Sequence, residues 1–95
     1  MINSFADKST EDLFNRKSVR HLPPSIQKTA YRKLLLIDGA ERLEDLRIPP
    51  GNRLEKLSGD LSGKHSIRIN DQWRIIFIWK ENSAYEVEIT DYHKG

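Results

Sequence analysis

The stretch Ser66-Ile67-Arg68-Ile69-Asn70-Asp71-Gln72-Trp73-Arg74-Ile75-Ile76-Phe77-Ile78-Trp79, SIRINDQWRIIFIW, decides the fold. Ile67 and Ile69 alternate with Arg68 and Asn70, a period of two that puts both isoleucines on one face of a strand. Asn70-Asp71-Gln72 supplies turn chemistry. Residues 73–79 are then apolar on both faces, as in a central strand covered from both sides. An antiparallel hairpin follows from this pattern. Its one oddity is Arg74, a cation at the mouth of the most apolar strand.

Downstream, Glu81-Asn82-Ser83 turns the chain and Tyr85, Val87 and Ile89 alternate with Glu86 and Glu88, which predicts a last strand. Upstream, Leu54 and Leu57 mark a short irregular strand ended by Ser58-Gly59-Asp60, and Pro49-Pro50-Gly51-Asn52 is a strong breaker. Before the breaker the period is helical. Ile26, Ala30, Leu34 and Ile37 make one apolar stripe, widened by Leu35 and Leu36, in a helix opening at Pro24-Ser25 and stopping near Gly39. Lys33 lands close to that stripe, where its stem is expected along the core edge with the ammonium outside. Ser9, with Asp12 three residues on, predicts the cap of an earlier helix through Leu13 and Phe14. Residues 1–5 suit a short first strand. The expected architecture is α+β, one domain over residues 1–95, with two N-terminal helices packed on a small, mostly antiparallel sheet.

Sixteen Lys and Arg against fourteen Asp and Glu leave a net charge of +2, too little for a dedicated nucleic-acid coat. The charge is unevenly spread. Residues 53–80 hold six basic groups (Arg53, Lys56, Lys64, Arg68, Arg74, Lys80) and three acids, whereas residues 81–95 hold four acids and Lys94. Such asymmetry builds a locally positive face on a nearly neutral chain. The absence of cysteine excludes disulfides and thiolate metal sites. His21, His65 and His93 have no ligand spacing, so neither a metal nor a cofactor is expected. No apolar run approaches the roughly 18–20 residues of a membrane span, and a soluble cytoplasmic protein is expected.

Antiparallel pairing of the last strand beside residues 73–79 would bring Asp91-Tyr92-His93 to the end of the sheet that carries Arg74 and Arg68, together with Asn70 and Gln72. Such a set suits an anionic phosphoryl centre. Guanidinium donors match phosphate oxygens in pairs, and a histidine exchanges protons near neutrality. RNA brings its own nucleophile, the 2′-hydroxyl, so neither a serine nor a metal is required. Each residue also has a plainer reading. Arg74 can pair across strands with Glu86 or Glu88, Tyr92 can be a half-buried edge aromatic, and His93 can be a surface histidine near the chain end.

NDQWRIIFIW followed by DYH resembles the HigB-type plasmid-maintenance killer toxins of the RelE-like superfamily. The likeness spans nearly the whole chain, from an I-x-S-F start through L-x-x-L-x-G-D to D-Y-H, and RIPPGNRLE looks like the GraT-like branch. The resemblance implies a metal-free, ribosome-dependent messenger-RNA endonuclease that inhibits translation by 2′-hydroxyl attack. It implies a HigA-like helix-turn-helix antitoxin as partner, the 30S A site and its messenger as target, and operator DNA only through the antitoxin. Arg74 takes the phosphate-stabilising role, His93 that of general acid or base, and Tyr92 and Asp91 position the RNA or the histidine. Arg68, Lys56, Lys64, Asn70, Gln72 and Glu55 are the expected RNA contacts. One departure stands out. Where relatives read H-P-L-K-G-D, this chain has Glu55-Lys56-Leu57-Ser58-Gly59-Asp60, with Glu55 and Ser58 in place of a histidine and a lysine. The competing readings are a translation inhibitor that binds ribosome or RNA without cutting, and a corepressor acting through its antitoxin.

Overall fold

The computed structural model describes residues 1–92. Helix α1 (Lys8–Phe14) and helix α2 (Pro24–Gly39) precede four strands: β1 (Glu55–Lys56), β2 (His65–Arg68), β3 (Trp73–Lys80) and β4 (Ser83–Asp91). The strands form one antiparallel sheet in the order β1-β2-β3-β4. The expected α+β arrangement is therefore the observed one. Three short 3₁₀ turns, Leu43–Arg47, Pro50–Asn52 and Gly59–Leu61, occupy the connections.

α2 buries Ile26, Ala30, Leu34 and Ile37, the stripe read from the sequence. Leu35 and Leu36 do not widen it; they are 45% and 39% exposed. At about 100° per residue, each step beyond Leu34 carries the side chain further round the cylinder and off the core. Against the stripe lie Ile67, Ile75, Phe77 and Val87, all fully buried, with Trp73 and Trp79 packed partly buried at the margin.

Ser9 does not cap α1. Asp7 does, its Oδ1 accepting from the Thr10 backbone N–H at 2.8 Å. A carboxylate is the stronger ligand for the unpaired N–H groups of a first turn, and the earlier start places Thr10 against the sheet. Fully buried, the Thr10 hydroxyl oxygen accepts from the Ile89 backbone N–H at 3.0 Å. The expected first strand is reduced to two parallel bridges, Ile2 with Ala84 and Phe5 with Val87. The N–H groups of Ala84, Glu86 and Val87 are met by the Met1 carbonyl, the Ser4 hydroxyl and the Ser4 carbonyl. The edge of β4 is thus closed by the N-terminal segment and α1. Thr10→Val, nearly the same shape, is expected to cost about 1–3 kcal/mol by stranding the Ile89 N–H. An unchanged urea midpoint would contradict this role.

The alternation expected for β4 is broken. Ile76 pairs with Glu88 but Ile78 with Tyr85, so two residues, Glu86 and Val87, oppose Phe77. Glu86 has φ 51°, and this bulge reverses the faces on its N-terminal side. Ala84 is therefore the buried residue, and Tyr85 leaves the core set and accepts from Asn3 Nδ2 at 3.0 Å.

The sheet has a second, smaller apolar zone. Leu57 and Ile76 are buried yet lie outside the main core cluster. They share the face that β2 and β3 turn away from the helices. Arg74 lies on that face.

Candidate active site

The strand register brings several of the groups together. Arg68 pairs with Arg74, Ser66 with Ile76 and Glu55 with Ser66, while on the other flank Trp73 pairs with Asp91 and Arg74 with Thr90. The end of β4 thus reaches the mouth of β3, next to the arginine.

Arg74 is only 5% exposed. Its Nε donates to Ser66 Oγ at 2.8 Å and one Nη to the Arg53 carbonyl oxygen at 2.7 Å. The other Nη lies 3.3 Å from Glu55 Oε1. The ring of Tyr92 covers the guanidinium, its centroid 5.2 Å from Cζ. A buried cation needs such a set, because desolvation costs several kcal/mol unless charge and donors are met. The expected alternative, pairing with Glu86 or Glu88, is not what the chain adopts. Glu86 is taken up by the bulge and Glu88 faces Ile76, so the acid comes from β1, on the other side of β2.

The other groups predicted from sequence do not all meet Arg74. Glu55 and Tyr92 touch Arg74 itself. Asn70, Gln72 and Asp91 build the frame: Asn70 Oδ1 accepts from the backbone N–H groups of Gln72 and Trp73, both at 2.8 Å. Gln72 Nε2 donates to Asp91 Oδ2 at 2.8 Å, and its carbonyl accepts from Tyr92 N–H at 2.6 Å. Arg68, cross-strand from Arg74, is ion-paired with Asp71. Lys64 precedes β2, with its carbonyl accepting from Leu57 N–H at 2.9 Å. His93 lies outside the described residues.

Lys56 belongs elsewhere. It pairs with His65 rather than Ser66, and the pleat turns both away from Arg74. With Leu43, Glu44, Arg47 and Leu54 they line a cavity of about 340 Å³ on the reverse face. His65 stacks on Phe77, with ring centroids 6.3 Å apart, and burial, then the Lys56 charge, holds its imidazole below the ordinary value of 6.5. As the pH falls through 6.5 the unfolded chain therefore takes up a proton that the folded chain still refuses. Stability is expected to fall with it, levelling off below the folded value. In His65→Asn the urea midpoint between about pH 7 and about pH 5 should be flatter; equal slopes would contradict the buried neutral ring.

Beside Tyr92 a groove of about 360 Å³ opens, lined by Leu61, Ile76, Thr90, Asp91 and Tyr92. Its lining mixes the apolar Leu61 and Ile76 with the polar Thr90, Asp91 and Tyr92. Three groups that hold Arg74 or its neighbours were missed in the sequence: Ser66, the Arg53 carbonyl and Asn52. Ser66 sits in His65–Arg68, a strand of mixed composition, and its burial shows only in the fold. A backbone oxygen carries no sequence signal. Among the described residues, no group of three His, Cys, Asp or Glu is gathered that can hold a metal ion.

This is the RelE-like toxin fold, with a guanidinium seated on the open face of the sheet. A chain of the YoeB–YefM complex from Staphylococcus aureus superposes with a TM-score of 0.55 at 22% identity, covering 98% of each chain. The protein belongs to the HigB-like toxin family, the RelE-like toxins of type II toxin–antitoxin systems, which matches residues 3–93. It is 44% identical over 95 residues to Toxin HigB-1 of Vibrio cholerae serotype O1, covering 99% of both chains. To Endoribonuclease HigB of Proteus vulgaris it is 31% identical over 93 residues, covering 98% of this chain and 100% of that one.

Proposed function

We propose that this toxin is a metal-independent endoribonuclease that cuts messenger RNA on the ribosome and so stops translation. The observation that carries the reading is the buried Arg74 guanidinium. It is held on one side by Ser66 and the Arg53 carbonyl, and it turns its other Nη to a carboxylate that is 46% exposed. A phosphodiester of RNA is the natural replacement for that carboxylate: it offers paired anionic oxygens to the same N–H groups. The name of the Proteus vulgaris relative, Endoribonuclease HigB, agrees with this chemistry.

In the proposed reaction the 2′-hydroxyl attacks the adjacent phosphorus while Glu55, released from Arg74, accepts the hydroxyl proton. The P–O5′ bond breaks, and His93 delivers a proton to the departing 5′-oxygen. The products are a 2′,3′-cyclic phosphate and a 5′-hydroxyl. Arg74 holds the charge that grows on the phosphoryl oxygens, an effect worth roughly 10²–10³ in rate for one well-placed donor. In this reading Tyr92 and the groove beside it receive a base flanking the cut, and Arg68 and Lys64 are assigned to the RNA backbone. A ribosome that presents the messenger already extended lowers the orientational cost.

The toxin acts in the cytoplasm in this reading, restrained by a helix-turn-helix antitoxin, and meets operator DNA only through that partner. No helix among the described residues is long and apolar enough to cross a membrane. Mapping messenger 5′ ends after induction tests the proposal. Discrete cuts inside translated codons are expected. Intact messages on stalled ribosomes would favour a binder that blocks without cutting.

A further inference from the structure

We propose that Asn52 is a positioning residue for Arg74: it fixes the left-handed turn at Arg53, whose carbonyl oxygen sets the orientation of the guanidinium. The proposal rests on the reading of Arg74 given above.

Asn52 is fully buried although polar. Its Nδ2 donates to the Leu46 carbonyl at 3.1 Å and the Ile48 carbonyl at 3.3 Å, and its Oδ1 accepts from Lys33 Nζ. Both amide N–H groups are thereby used, and two chain segments, α2 and residues 46–48, are tied to one side chain. The Lys33 ammonium, expected outside, turns inward to this acceptor and needs it, since burial, then the Arg68 charge, works against the charged form. The next residue, Arg53, has φ 46° and ψ 57°. A non-glycine residue enters that region rarely and stays there only where its surroundings leave no other course. Here the preceding turn supplies the constraint: Asn52 N–H donates to the Pro49 carbonyl at 2.9 Å and Arg53 N–H to the Pro50 carbonyl at 3.1 Å. The outcome is a backbone oxygen aimed at Arg74, 2.7 Å from its Nη.

The three acceptors of Arg74 therefore differ in kind. Ser66 Oγ is fully buried and the Arg53 oxygen is backbone, whereas the Glu55 carboxylate is half-exposed. Two acceptors hold the fork, and the third can yield its place to substrate. Leucine at position 52 has no donor for the two carbonyls. Aspartate, of the same shape, sets an acceptor against them.

The test uses the full chain and four variants: Asn52→Asp, Arg53→Val, Arg53→Gly and Arg74→Ala. Turnover is measured on ribosomes programmed with a message. Rotation about the Arg74 Cζ–Nη bonds, followed by ¹⁵N NMR, reports the grip on the guanidinium without any RNA. Asn52→Asp is expected to speed this rotation and lower kcat about 10²-fold, with KM within about twofold. Arg53→Val, whose branched side chain resists a positive φ, should do the same. Arg53→Gly, which keeps the turn, should lose less than Arg53→Val. Should Asn52→Asp fail to fold, the ordering of the two Arg53 variants decides. Unchanged Arg74 rotation in folded Asn52→Asp and Arg53→Val overturns the positioning role. Arg74→Ala with full nuclease activity overturns the catalytic reading instead, and the NMR comparison separates the two failures.

Discussion

Arg74→Lys is expected to lose at least about 10²-fold in message cleavage while the chain stays folded. A lysine keeps the charge and much of the reach, so a loss on this scale reports geometry and not sign. The guanidinium meets Ser66 Oγ, the Arg53 carbonyl and Glu55 in three directions at once, with its face under Tyr92. An ammonium, a point charge on a flexible stem, cannot hold that plane or present two parallel donors to a phosphate. Arg74→Ala should be slower still and less stable, because Ser66 and the Arg53 carbonyl lose a buried donor, at about 1–3 kcal/mol for a stranded group. Cleavage is read in a single turnover on programmed ribosomes, and folding by thermal melting. A folded lysine variant cutting at the wild-type rate would contradict a role for the fork.

Glu55→Gln carries the second large effect. Glutamine fills the same space and still accepts from Arg74, but it takes no proton from a 2′-hydroxyl. With Glu55 as the base, the rate should fall by roughly 10²–10⁴. Stability should fall far less than the rate, since Ser66 Oγ, the Arg53 carbonyl and the glutamine oxygen still meet the guanidinium. The carboxylate is 46% exposed, and solvent screens its pairing with Arg74 to about 1 kcal/mol or less. A glutamine variant of near wild-type rate would leave Glu55 only as the counter-ion that occupies the phosphate site of the empty protein.

Much of this arrangement was legible in the residues. Ile67 and Ile69 face the core, the Asn70–Gln72 turn joins the strands they predict, and the end of β4 reaches the mouth of β3, because alternation and turn chemistry are local properties. What the sequence hid was set by contacts between distant segments. Glu86 has no mark of the bulge it occupies, and that bulge moved Tyr85 out of the core and left Ala84 in it. The acid beside Arg74 was sought on the neighbouring strand, where cross-strand pairing is the rule. It came from β1, a strand of two residues whose period is too short to read. The same brevity concealed that Lys56 faces the reverse side with His65. Asn52 and Ser66 look like ordinary loop and strand-start residues; only burial shows what they hold.

The most direct measurement replaces a single 2′-hydroxyl. A messenger is prepared with one 2′-deoxynucleotide immediately 5′ of a mapped cut and loaded on ribosomes with the toxin. This site is expected to be spared while unmodified sites on the same strand are cut, leaving a 2′,3′-cyclic phosphate and a 5′-hydroxyl. Cleavage at the deoxy site at the ordinary rate would contradict attack by the 2′-hydroxyl.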